Sequence, residues 1–111
     1  MLKKVVGITL VLLGFYSMTA LAAGDAAKGK TFYATCLACH GANGEGNKAL
    51  NAPRLAGQEE WYVVRQLKNF KDGIRGADSN DIYGQQMRPM AQILPDDQAI
   101  ADVAAYIATL K

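Results

Sequence analysis

The chain has 111 residues, 50% of them hydrophobic, with 12 Lys and Arg against 10 Asp and Glu. This excludes disorder and collagen-like repeats and sets the size of one ordinary globular domain. The formal charge of +2 includes Lys3 and Lys4; without residues 1–22 the remaining 89 carry 10 basic and 10 acidic side chains. A neutral domain of that size lacks the basic footprint that binds nucleic acid, and a hydrophobic core alone holds it only marginally, so it calls for a disulfide, a metal or a cofactor.

Residues 1–22 have the parts of a secretory signal peptide: Lys3-Lys4, an apolar run from Val5 to about Ala20, and Ala20-Leu21-Ala22 as a small-x-small cleavage site. Cleavage before Ala23 is predicted, leaving a single domain over 23–111. The run is interrupted by Gly7, Thr9, Gly14, Ser17 and Thr19. It falls short of the ~20 strongly apolar residues of a spanning helix, so no stable membrane insertion is expected after cleavage. The absence of a twin-arginine pair points to export of an unfolded chain that acquires any cofactor outside the cytoplasm.

Three helices are predicted in the mature chain. The first begins at Asp25, a favourable N-cap, and runs through Ala34 toward Cys36. The second spans about 58–72, with Glu59 and Glu60 in its first turn, Val63, Val64, Leu67 and Phe70 at helical spacing, and Gly73 as its stop. The third starts after Leu94 with Pro95-Asp96-Asp97 and carries the stripe Ile100, Val103, Ile107, Leu110. No strand alternation is present, so the fold is all-α. Between these helices, 41–57 and 74–94 read as loops longer than a compact domain tolerates without something to pack on. A large apolar cofactor clamped by three helices answers both the thin core and the long loops.

Cys36-Leu37-Ala38-Cys39-His40 supplies that cofactor's signature. On a helical turn, residues at i, i+3 and i+4 share a face, so two thiols can reach the vinyl groups of one haem while the imidazole reaches its iron, the pattern of covalent c-type attachment. Zinc would need further ligands, but these are the only two Cys and His40 is the only His. A thioredoxin-like pair would need a βαβ setting, which is absent. A single His also excludes bis-histidine ligation, leaving Met, Lys, water or nothing as the sixth ligand. Met1 and Met18 depart with the signal, so the Met candidates are Met87 and Met90.

With these parts in place, residues 24–110 resemble a class I c-type cytochrome, most closely the short bacterial periplasmic monohaem type, similar to one half of the dihaem two-domain cytochromes. The family order is N-terminal helix, Cys-x-x-Cys-His, Pro-containing loop, middle helix, Met loop and C-terminal helix, and every part is present in that order. The resemblance implies three main helices and long loops wrapped around one haem c. It also implies that the Pro53 carbonyl, within Asn51-Ala52-Pro53-Arg54-Leu55-Ala56-Gly57-Gln58, orients His40 as iron ligand. It pairs a small residue of the first helix with an aromatic of the last, matched by Gly29 and Tyr106 with Phe32 nearby, and it makes Trp61 and Tyr62 candidates for a haem propionate. Pro95 departs from the Ser or Thr that relatives carry as cap of the last helix. For the axial Met, eight steps from Met87 to Pro95 give a loop more return length than five from Met90, a spacing that also matches relatives. Met87 is therefore the expected ligand, with Met90 the alternative.

The function implied is that of a periplasmic electron carrier and not an enzyme, exchanging one electron with an oxidase, reductase or dehydrogenase partner. The alternative is a haem subunit held permanently in a periplasmic oxidoreductase complex. A gas sensor or peroxidase would require an open sixth position on the iron.

Overall fold

The structure, a computed structural model, describes residues 2–14 and 22–111. Residues 2–14 form no regular element and are exposed. Ala20 and Leu21 of the predicted cleavage site lie outside the described residues. No helix among the described residues is long and apolar enough to cross a membrane.

The elements run α1 (Ala26–Tyr33), α2 (Leu37–His40), a 3-10 turn (Lys48–Leu50), α3 (Glu60–Lys71), α4 (Ile82–Gln92) and α5 (Asp97–Ile107). Extended pairing among the described residues is confined to one isolated bridge, Asn47 with Ala52. The three predicted helices are present with chemically legible ends. The Asp25 carboxylate accepts the backbone N–H groups of Ala27 and Lys28 at 2.9 and 3.2 Å, closing the open donors of the first turn of α1. α3 stops at Gly73, whose φ of 72° is open to a residue without Cβ. At α5 the capping oxygen belongs to Asp96, which accepts the Ala99 N–H at 2.8 Å, and Pro95 stands just ahead of the cap.

The segment 74–94 is not a continuous loop: α4 occupies more than half of it. Pro89 lies inside that helix. An interior Pro removes one backbone donor and crowds the preceding turn, so the helix needs support from elsewhere. The Asp81 carboxylate caps it by accepting the Gly84 N–H at 3.0 Å. Ala91 and Leu94 at its far end are buried in the core. Its start lies close to the turn after α3, where a Cβ on Gly76 would run into the Gly84 carbonyl. Tertiary packing overrides local propensity here.

The core joins Tyr33 of α1, Val63, Leu67 and Phe70 of α3, Ala91 and Leu94, and Ile100, Val103, Ala104 and Ile107 of α5. Its most intimate joint is the crossing of α1 and α5. A Cβ at Gly29 would strike the Asp102 carbonyl, so backbone meets backbone there. Tyr106 lies against Tyr33, with ring centroids 5.2 Å apart. The joint is tied by Asp102, 3% exposed, whose Oδ1 accepts the Asp25 N–H at 2.8 Å and a Gln98 side-chain N–H at 3.0 Å. The Asp25 N–H, then the Gln98 amide, hold this carboxyl below its ordinary value against the opposing effect of burial.

Two outcomes follow from this joint. Gly29→Ala forces α1 away from α5 and lowers stability by about 1–3 kcal/mol, read from the urea midpoint of the haem-loaded protein. The Asp102 carboxyl binds its proton more weakly folded than unfolded, so its contribution is full above the unfolded carboxylate range and is lost as pH falls through the lower folded value. Asp102→Asn therefore flattens part of the acid side of the stability profile below about pH 4, measured by thermal denaturation across pH.

Candidate functional site

Cys36 has helical backbone angles, and its carbonyl accepts the N–H groups of Cys39 and His40 at 3.2 and 3.0 Å, so the motif forms one helical turn. Both cysteines are free of any disulfide; Cys39 is exposed and Cys36 half-buried. Burial, reinforced by neighbouring Cys39, pushes the Cys36 thiol up to about 11, so at neutral pH it is held protonated. Ahead of the motif, the Tyr33 hydroxyl donates to the Gly41 carbonyl at 2.6 Å, bracing both ends of the turn. Burial leads the effects that raise this phenol to about 12.

His40 is 7% exposed, and its Nδ1 lies 2.8 Å from the Pro53 carbonyl oxygen. A carbonyl only accepts, so Nδ1 carries the proton and Nε2 keeps its lone pair. The loop presenting Pro53 is drawn onto the motif by its own backbone. Gly46 N–H donates to the His40 carbonyl at 2.7 Å, and the Gly44 carbonyl accepts from Leu55 and Ala56 at 2.8 and 3.0 Å. Gly46, at φ 81°, lies so near Pro53 and Arg54 that a Cβ would come within 2.7 Å of the Arg54 nitrogen.

Cys36, Cys39 and His40 open into a cavity of about 590 Å³ whose walls include Val63, Leu67 and Phe70 of α3 and Val103 and Ile107 of α5. Met87 and Met90 also line it. Three positions apart on α4, they share a helix face. Met87 is partly buried and packs on the core, whereas Met90 is 41% exposed. Met87 is thus delivered by a helix, and the return length of a loop no longer bears on the choice. Pro53, Tyr62 and Tyr83 line the cavity as well, but Trp61 does not; it is 58% exposed, under the Arg65 guanidinium at 5.0 Å. Among the cavity-lining residues that escaped the sequence reading are Gln66, and Arg75 and Tyr83 in the segment taken as loop.

Protein interiors hold few voids larger than a water molecule, so an apolar space of this size inside the core is a binding site. Its donor set is two thiols on one face of a helical turn, an imidazole with its metal-binding nitrogen free and a thioether, which fits a covalently attached iron porphyrin. The class defined by fold and site is an all-α domain built to carry a c-type haem.

The comparisons with known proteins give the family. The cytochrome c family profile matches residues 26–111. Cytochrome c4 of Pseudomonas aeruginosa is 40% identical over 112 residues, covering 99% of this chain and 50% of that protein. Cytochrome c-554(548) of Halomonas halodenitrificans is 43% identical over 84 residues, 76% of this chain and 94% of that one. The crystal structure of reduced recombinant cytochrome c4 from Pseudomonas stutzeri superposes with a TM-score of 0.67 at 28% identity, over 81% of this chain and 53% of that one. The chain belongs to the cytochrome c family. It spans about half the length of the cytochrome c4 relatives, matching one half of a dihaem two-domain protein, and its cofactor is one haem c attached through Cys36 and Cys39.

Covalent attachment predicts a haem-stained band that survives denaturing electrophoresis and acid acetone extraction. A Cys36→Ala, Cys39→Ala chain loses the stain and most of its helical circular dichroism. Ordering its loops costs on the order of 1–2 kcal/mol per residue, with the cavity then left unfilled.

Proposed function

We propose that this chain is an exported periplasmic electron carrier in which His40 and Met87 would hold the haem iron, the leader 1–22 being removed before Ala23. The observation that carries the reading is the buried His40 with Nδ1 committed to Pro53, on a cavity whose wall also holds the core-packed thioether of Met87. When bound, the haem supplies a one-electron couple whose ferrous form a thioether ligand favours, raising the potential.

The residues account for a fixed coordination frame. Pro53 holds the His40 ring in one tautomer and one orientation. α2 is braced through Tyr33, and α4 is capped by Asp81 and packed on the core through Ala91 and Leu94. Two ligands on separately anchored helices move little when the charge between them changes. Partner access falls at the cavity rim, where Leu50, Tyr62, Tyr83, Met90 and Ile93 are all at least 39% exposed while lining the cavity. An apolar rim on a neutral domain suits brief contacts with a redox protein, since electron-transfer encounters use small interfaces.

The ligand assignment and the carrier role are tested together. In Met87→Ala the near-infrared band of the sulfur-to-ferric-iron bond disappears, the potential falls, and the reduced protein binds carbon monoxide. Met90→Ala and the wild type retain the band and exclude carbon monoxide. The reverse pair of outcomes transfers the ligand role to Met90, and carbon monoxide binding by the wild type overturns the carrier reading.

A further inference from the structure

The end of a helix gathers unpaired carbonyls and partial negative charge, which a cation nearby offsets. α3 has Lys68 and Lys71 in its last turn, whereas α4 has no basic residue in its own. Lys68 pairs with Asp97 at the start of α5 at 3.6 Å, both side chains being exposed. The half-buried Lys71 instead serves α4: its Nζ donates to the carbonyl of Leu94, two residues past the last residue of that helix. That carbonyl needs a donor from outside. Leu94 is 5% exposed, its own N–H donates back to Ala91 at 3.2 Å, and among the described residues no backbone N–H donates to its oxygen. A buried carbonyl left without a partner is costly. In return, Arg88 of α4 lies against the turn that stops α3, where a Cβ on Gly73 would stand 3.1 Å from the guanidinium. Each helix thus lends a cation to the end of the other.

Met87, Met90 and Leu94 all line the haem cavity. Pro89 interrupts the backbone ladder between the two methionines, so their place depends on how α4 is held at its ends, by Asp81 at one and through Leu94 at the other. We infer that Lys71 is the positioning residue for the axial methionine: its ammonium, holding the Leu94 carbonyl, fixes the far end of α4 on α3 and so keeps a thioether at the iron. The inference rests on the reading that a methionine of α4 ligates the iron, and it holds for Met87 and Met90 alike. Lys71 is absent from the cavity wall and acts through α4 alone.

The test compares haem-loaded wild type, K71M, K71Q and K68M. K71M keeps the bulk of the stem and removes the donors. Its near-infrared band of the sulfur-to-ferric-iron bond fades at temperatures where helical circular dichroism is still native, and its reduced form binds carbon monoxide, which the wild type excludes. K71Q, an uncharged donor on a shorter stem, shows the same loss in part and decides alone if K71M does not accumulate. K68M, which removes the neighbouring cation of the same turn, keeps both the band and the exclusion. A wild type without the band overturns the methionine reading and this inference with it. A full band with carbon monoxide excluded in K71M and K71Q, or an equal loss in K68M, overturns the role of Lys71 alone.

Discussion

Everything in this fold answers to a core that its own side chains do not fill. Val63, Leu67, Phe70, Val103 and Ile107 belong to the buried cluster and yet face a cavity of about 590 Å³. An apolar wall without atoms opposite it forfeits dispersion contacts and burial alike. The covalent haem is therefore a structural member of the core as much as a redox centre. The unusual loops follow from the same constraint, since 41–57 is drawn onto the motif by Gly44 and Gly46 and delivers Pro53 to His40.

A second consequence concerns division of labour among the helices. α1 and α5 cross so closely that glycine backbone meets backbone, and Asp102 ties the α1 start to the middle of α5. That pair forms a frame that needs no cofactor atom at its contact. α2, α3 and α4 hold most of the chemistry: thiols and imidazole on the first, Gln66 and the aromatic wall on the second, both methionines on the third. Separating frame from site lets axial ligands and rim residues vary without disturbing the crossing.

How far the sequence was legible depends on how local the determining physics is. The caps at Asp25 and Gly73, the stripe on α5 and the Cys-x-x-Cys-His turn are governed by near neighbours, and each is present as expected. α4 was not legible, because Pro89 and Gly84 argue locally against a helix and what sustains it is packing at Ala91, Leu94 and Gly76. Which aromatic meets which is set by the angle at which α1 and α5 cross, so the Tyr33–Tyr106 pair was not legible either. Trp61 points to surface chemistry with Arg65 instead of to the cavity, since period alone does not say how wide a helix face is covered.

The interior Pro89 gives this molecule a built-in weak seam. Lacking an N–H, it leaves the Gln85 carbonyl without its intrahelical donor in the middle of α4. Cooperative units with fewer backbone bonds open at lower free energy than the rest. The face carrying Met87 and Met90 is then the part of the domain that detaches first, while the α1–α5 frame and the thioether-anchored turn stay folded. Damage or destabilisation would thus appear as an altered iron environment long before the chain comes apart, making the colour of the protein a more sensitive gauge of its integrity than its helix content.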